Sequence, residues 1–125
     1  MKQVVLDSGA LIALERRDRR MLAITDALVA RRRTAIVPAG VVAQCWRASA
    51  RQHAVARLLK HGAVTIHPMS DEVAYAVGAL LARSGTAHVV DGHVALLATR
   101  MRATVVTSDP DDMRSIDSSL DLLVL

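Results

Sequence analysis

Short apolar runs alternate along this chain with longer stretches in which apolar residues recur every three or four positions. The first run, Val4–Leu6, is short enough for a central parallel strand. It stops at Asp7-Ser8-Gly9, a turn signal that offers a helix N-cap, and Ala10–Glu15 then reads as helix. A charged link, Glu15–Arg20, leads to a second helix over Met21–Arg31. Leu22, Ala23, Ala27, Leu28 and Ala30 give it near-helical spacing, and Arg31-Arg32-Arg33 close it with the cations a helix C-terminus favours. Thr34–Val37 predicts a second strand, closed by Pro38, which can also open a helix. That helix reads as Val41–Gln52, with Val41, Val42, Cys45 and Trp46 on its apolar side. Val55–Lys60 predicts another, stopped by Gly62.

The second half repeats the alternation. Val64–His67 predicts a third strand, ended by Pro68. Ser70 caps a helix with Asp71 and Glu72 in its first turn, running to about Arg83 and stopped by Gly85. Ala87–Val90 reads as a loop or short extended piece. Asp91 then opens a helix whose Val94, Leu97, Ala98 and Met101 are spaced for burial. Thr104–Thr107 predicts a fourth strand, ended by Ser108-Asp109-Pro110, and a short helix follows to about Ile116. Leu122–Leu125 fits a fifth, edge strand. Strands alternating with helices throughout predict an α/β protein, a parallel sheet with helices on both faces.

Composition narrows this picture. A chain of 125 residues with no linker, repeat or low-complexity segment reads as one domain over 1–125. Apolar residues make up 52%, which excludes disorder; with only Trp46 and Tyr75 as aromatics, the core must be Val, Leu, Ile, Ala and Met. The single Cys45 forms no internal disulfide and suits a reducing compartment. With no signal peptide and no apolar run near the roughly 18–20 residues of a membrane helix, the chain reads as cytoplasmic, with no membrane partner. Charge is uneven. Residues 1–62 hold 12 Lys/Arg against 4 Asp/Glu, and residues 63–125 hold 4 against 8, so a basic half (+8) precedes an acidic one (−4). A basic half suits a polyanion such as nucleic acid, and equally suits solvated helix surfaces.

The candidate chemistry is carboxylate. In an open parallel sheet, ligands bind beyond the C-terminal ends of the strands. Asp7 ends the first strand, Asp109 ends the fourth, and Asp91 begins the helix leading into the fourth. If the first and fourth strands are neighbours, the three carboxylates share one pocket, where protons or a cation must relieve their repulsion. Oxygen-only ligands select Mg²⁺ or Mn²⁺. Each aspartate alone also fits a plain N-cap, worth about 1 kcal/mol, and Asp111 and Asp112 fit the first turn of a helix. The joint pattern is the more specific one. The histidines form no ligand cluster: His53, His61 and His67 are scattered, and His93, two residues after Asp91, points away from it on a helix. No Gly-rich phosphate loop is present, and Asp7 has Gly9, not a second aspartate, two positions on.

The segments VVLDSGALIAL (4–14), VPAGVVAQCWR (37–47), VVDGHVALLA (89–98) and VVTSDPDDM (105–113) resemble a PIN domain, and more narrowly the VapC toxins of VapBC toxin–antitoxin pairs. The resemblance spans nearly the whole chain. It implies a three-layer α/β/α sandwich with four to five parallel strands and a magnesium- or manganese-dependent ribonuclease. It assigns Asp7, Asp91 and Asp109 to a metal site, adds Asp112, and puts Ser8, Thr107 and Ser108 at the edge. It also implies a homodimer and a VapB-type antitoxin covering the site.

One departure bears on the chemistry. Such sites usually carry a glutamate in the helix after the second strand, and Gln44 stands there. An amide accepts a hydrogen bond but brings no charge, so weaker metal binding is expected, with one metal in place of two. Glu15 lies about two helical turns beyond Asp7, too far to substitute. The leading expectation is phosphodiester hydrolysis, with Asp7, Asp91 and Asp109 holding the metal and one of them, or Asp112, accepting a proton from water. Arg16, Arg17, Arg19 and Arg20 are candidates for the RNA backbone, or are simply a solvated loop. Few aromatics argue against a stacking platform and for a structured RNA, of the tRNA or rRNA class, read by shape. The second expectation is a catalytically weakened PIN domain that binds RNA or antitoxin without efficient cleavage.

Overall fold

A computed structural model describes residues 3–125. Five strands, β1 (Val4–Leu6), β2 (Ala35–Pro38), β3 (Val64–His67), β4 (Thr104–Thr107) and β5 (Asp121–Val124), form one sheet in the order β3-β2-β1-β4-β5. Every pairing is parallel, with Val4 opposite Ala35 on one side and Thr104 on the other. Seven helices connect the strands: α1 (Ser8–Glu15), α2 (Arg19–Ala30), α3 (Ala39–Cys45), α4 (His53–Lys60), α5 (Asp71–Ser84), α6 (Val89–Met101) and α7 (Pro110–Ile116). The chain steps outward from β1 to β2 and β3, then crosses back to β4 and β5. Right-handed crossovers over that path put α1–α4 on one face and α5–α7 on the other, in keeping with the packing of α1 against α2, α3 and α4 and of α6 against α5 and α7. This is the α/β sandwich that the alternating pattern predicts.

The central strands are short because they are buried on both faces. Val5, Leu6, Val37, Val105 and Val106 are fully enclosed, along with Leu11 and Leu14 of α1, Leu97 of α6 and Met113 of α7. β3 is one of the two edge strands and is only half covered; Ile66 is 44% exposed. Gly92 lets α6 press against α5: a Cβ there would stand 2.9 Å from Leu81 Cδ2 and 3.0 Å from Val77 Cγ1. Among the described residues, no single helix is long and apolar enough to cross a membrane.

Boundaries differ from the sequence expectation at several elements, and four differences have a clear local cause. α2 starts at Arg19, not Met21, because the Asp18 side chain accepts the Met21 N–H at 3.0 Å and caps it. The helix expected over Val41–Gln52 stops at Cys45 and gives way to a turn and a 3₁₀ segment, Ala50–Gln52. Buried Gln52 holds that turn shut: its Nε2 donates to Cys45 O at 2.7 Å, its Oε1 accepts the Arg47 N–H at 2.8 Å, and Ala48 takes φ 53°. α6 begins at Val89, so Asp91 does not open the helix; it sits in the first turn, where acids suit the macrodipole. The fifth strand is Asp121–Val124, one residue earlier than read, and the Thr104 hydroxyl donates to Asp121 at 2.7 Å to set its start.

Candidate active site

β1 and β4 are neighbours at the point where the strand order reverses, the position at which open parallel sheets leave a crevice. Leu6 pairs with Val106, so the next residues, Asp7 just past β1 and Thr107 at the end of β4, lie side by side. The Asp7 N–H donates to Val106 O at 3.3 Å, and its carboxylate accepts the Ala10 N–H at 2.9 Å to cap α1. The cap reading therefore holds for Asp7. It is 3% exposed, deep burial for a carboxylate that only capped a helix. Gly9 permits this closeness: a Cβ on it would collide with Ser108 Oγ and come within 3.1 Å of Ser108 Cβ and 3.2 Å of Ser108 N.

Thr107 ties the two strand ends together. Its buried hydroxyl hydrogen-bonds to the Asp7 carboxylate and accepts the Asp109 N–H at 2.9 Å. Asp109 stands at the N-cap position of α7, yet its side chain makes no capping bond, so the plain-cap reading fails there. It is exposed, as is Asp112 one turn along, while Asp91 is half-buried. Topology thus brings carboxylates from β1, β4, α6 and α7 to one end of the sheet.

Their electrostatics bind them into one unit. Burial pushes the Asp7 carboxyl above its ordinary value, opposed by the Thr107 and Ala10 hydrogen bonds and reinforced by the charges of Asp91 and Asp109. Asp91 is raised by burial and by Asp112, with His88 opposing. Asp109 is raised first by a hydrogen bond with the Asp112 carboxyl, then by slight burial and by the charges of Asp112, Asp91 and Asp111. The cluster holds more negative charge than it tolerates, and a proton or a cation relieves it. The all-oxygen donor set suits a hard divalent ion. Among the described residues, however, no three His, Cys, Asp or Glu side chains are arranged to hold one ion as they stand. The chemistry of the donors fits a hard divalent metal.

Gln44, on the last turn of α3, reaches this edge. The Ser8 hydroxyl donates to its Oε1 at 2.5 Å, and the neighbouring Cys45 thiol lies 3.6 Å from Ser8 O. Burial pushes the Cys45 thiol up, which keeps it protonated and unreactive. Arg16 and Arg17 are exposed on the link between α1 and α2, and Arg19 and Arg20 in the first turn of α2, at the end of α1 away from Asp7.

Two features were not read from the sequence. Gln52 is buried as the clamp described above. The histidines are not all scattered: His67 Nδ1 lies 3.2 Å from His93 Nε2, with the rings edge to face at 5.3 Å. His93 is fully buried, and burial together with His67 lowers its pKa to about 4. Its other ring nitrogen, Nδ1, has no hydrogen-bond partner among the described residues. The spacing of His93 with Leu97 on the inner stripe of α6 was a signal for its burial; nothing in the sequence linked it to His67, 26 positions away.

A sheet switched at β1/β4, with carboxylates gathered beyond it, defines a class that the comparisons specify. The PIN domain family model matches residues 4–118, and the chain belongs to the PIN domain family. Its fold is similar to VapBC2 from Rickettsia felis bound to a DNA fragment from its promoter (17% identity, 98% of each chain covered, TM-score 0.67). It is similar also to FitAB bound to the IR36 DNA fragment (18% identity, 97% of this chain and 94% of that one, TM-score 0.65). FitAcB from Neisseria gonorrhoeae is a third (19% identity, 96% of each, TM-score 0.61). No curated protein matches the chain in sequence.

Proposed function

We propose that this protein is the toxin of a type II toxin–antitoxin pair, an endoribonuclease that uses Mg²⁺ or Mn²⁺ to hydrolyse phosphodiester bonds in a structured RNA. The observation that carries the reading is the mutually repelling group Asp7, Asp91, Asp109 and Asp112 at the β1/β4 switch point. A plain set of helix caps gives no reason to gather four carboxylates there. The structural neighbours FitAB, bound to the IR36 DNA fragment, and VapBC2, bound to a DNA fragment from its promoter, support a VapB-type antitoxin as partner. A homodimer and a cytoplasmic location complete the proposal.

In this reading Asp7, Asp91 and Asp109 hold the cation. When bound, a divalent ion supplies Lewis-acid stabilisation of the phosphate and a more acidic water. The rest falls to the chain. Thr107 fixes the Asp7 carboxylate by hydrogen bond, and the Asp7 cap on α1 keeps it from turning away. Asp109, its carboxyl raised first by the hydrogen bond with Asp112, is suited to accept a proton from the attacking water, with Asp112 beside it as the alternative acceptor. Ser8 and Ser108 line the edge where phosphate oxygens would lie.

Gln44 supports a second reading, a catalytically weakened domain that binds without efficient cleavage. Its carbonyl is already occupied by the Ser8 hydroxyl, and it contributes no charge. One experiment addresses both. Total RNA is incubated with wild type, Asp7→Asn and Gln44→Glu, each with Mg²⁺ and with EDTA. Mg²⁺-dependent cleavage by wild type that disappears in Asp7→Asn is expected. Equal cleavage by wild type and Asp7→Asn sinks the nuclease reading. Cleavage that emerges only in Gln44→Glu establishes the weakened one.

A further inference from the structure

A groove of about 240 Å³ opens beside Gln44 and runs along α1. Ile12 and Glu15 stand on its α1 wall; Gln44, Arg47, Ser49 and Arg51 stand on the other. We propose that this groove binds the sugar–phosphate backbone of the RNA strand leaving the carboxylate site, with Arg47 and Arg51 as its phosphate contacts. The proposal rests on the nuclease reading of that site and adds the path its substrate takes.

Gln44 links the groove to the carboxylate site. Gln44 meets Ser8 at 2.5 Å, and Ser8 follows Asp7 directly. Because the Gln44 carbonyl accepts the Ser8 hydroxyl, its amide hydrogens are the part left to offer, and an amide N–H suits a phosphate oxygen. The far wall is built, not floppy. Gln52, 3% exposed, pins Cys45 and Arg47 through two hydrogen bonds. Arg47 Nη1 donates to Ala43 O at 3.1 Å and Trp46 O at 2.7 Å, which docks the guanidinium on the end of α3 while leaving further N–H donors.

Arg51 is exposed, and among the described residues its guanidinium has no hydrogen bond or ion pair. Glu15 faces the same groove, yet forms no ion pair with either arginine among the described residues. A polyanion approaching four carboxylates needs cations beside them, and these two arginines are on the route. The Arg16–Arg20 link lies one helix length from Ser8, roughly 12 Å for eight residues. Glu15, on the groove wall at the end of α1, directly precedes that stretch, which would give the backbone a basic exit. The polar groups here are mainly donors fitted to oxygen anions, and this favours a phosphodiester chain over an amphipathic peptide.

Trp46, the only tryptophan, sits in the turn between Cys45 and Arg47 and is 37% exposed, so its fluorescence reports on the groove. The full chain in EDTA is titrated with a short RNA hairpin across a salt series, as wild type, Arg51→Gln and Arg100→Gln. Arg100 is an exposed control at the end of α6. Arg51→Gln should bind about fivefold more weakly, and the slope of log Kd against log salt should fall by about 0.7–0.9, the value of one phosphate contact. Arg100→Gln should match wild type. Equal affinity and slope in Arg51→Gln and wild type overturns the proposal, as does Arg51-dependent binding of polyglutamate that is tighter than that of RNA, which would make the groove a site for an acidic polypeptide. Binding in EDTA is separate from cleavage. RNA held through Arg51 without Mg²⁺-dependent cutting keeps the groove and removes the nuclease; cutting with an unchanged KM in Arg51→Gln does the reverse.

Discussion

Gly9→Ala tests the closest approach at the site. The new methyl would meet Ser108 Oγ, which can rotate, but also Ser108 Cβ at 3.1 Å and the Ser108 backbone nitrogen at 3.2 Å, which cannot move without displacing the β4–α7 loop. Overpacking of this kind costs about 1–3 kcal/mol. Alanine in a helix returns about 1 kcal/mol relative to glycine, so the net loss is about 0–2 kcal/mol. For a domain of this size that lowers Tm by several degrees, at about 3–5 °C per kcal/mol. Gly78→Ala is the matched control. Gly78 lies inside α5 with nothing within 4 Å of its would-be Cβ, so the same chemical change should stabilise by about 0.4–1 kcal/mol. Thermal unfolding by circular dichroism with and without Mn²⁺ reads both effects. The loop that Gly9→Ala displaces carries Asp109, so the rise in Tm with Mn²⁺ should also shrink. If Gly9→Ala melts above wild type, as Gly78→Ala should, and keeps the full Mn²⁺ shift, the close approach does not position the site.

Two further expectations concern the parts the sequence hid. His93 is held neutral to about pH 4 against 6.5 when unfolded, so the unfolded chain binds more protons between those values. Its contribution, at most about 3 kcal/mol, is present above pH 6.5 and is lost as pH falls toward 4. The raised carboxyls of Asp7, Asp91 and Asp109 act in the opposite sense, gaining stability as pH falls. Denaturant unfolding of wild type against His93→Leu isolates the histidine: the difference should change with pH between 6.5 and 4, and a constant difference refutes the assignment. Gln52→Leu strips partners from the Arg47 N–H and Cys45 O, and should cost about 2–4 kcal/mol in chemical denaturation. Trp46 emission should shift as the turn opens; a variant as stable as wild type with unchanged emission would remove the clamp.

How much of this was legible in the sequence depends on the range of the force involved. Val4–Leu6, Ala35–Val37 and Val105–Val106 announce themselves as strands because a strand buried on both faces must be apolar throughout. Asp7 and Ser70 announce helices because a cap acts over three residues, as their bonds to Ala10 and Val73 show. The carboxylate pattern and the resemblance it carries were also readable, since each acid sits at a strand end or helix start.

Other features depend on groups far apart in the chain. Whether a helix runs on past Cys45 was settled by Gln52 folding back on it, a contact that propensity does not register. His67 and His93 meet only because β3 and α6 pack, and Arg47 and Arg51 flank a groove only because α1 lies opposite. The neighbouring of β1 and β4 is the decisive case. Residues 4–6 and 104–106 pair across a separation of 100 positions, and that pairing turns Asp7, a competent helix cap on its own, into one wall of a shared carboxylate site.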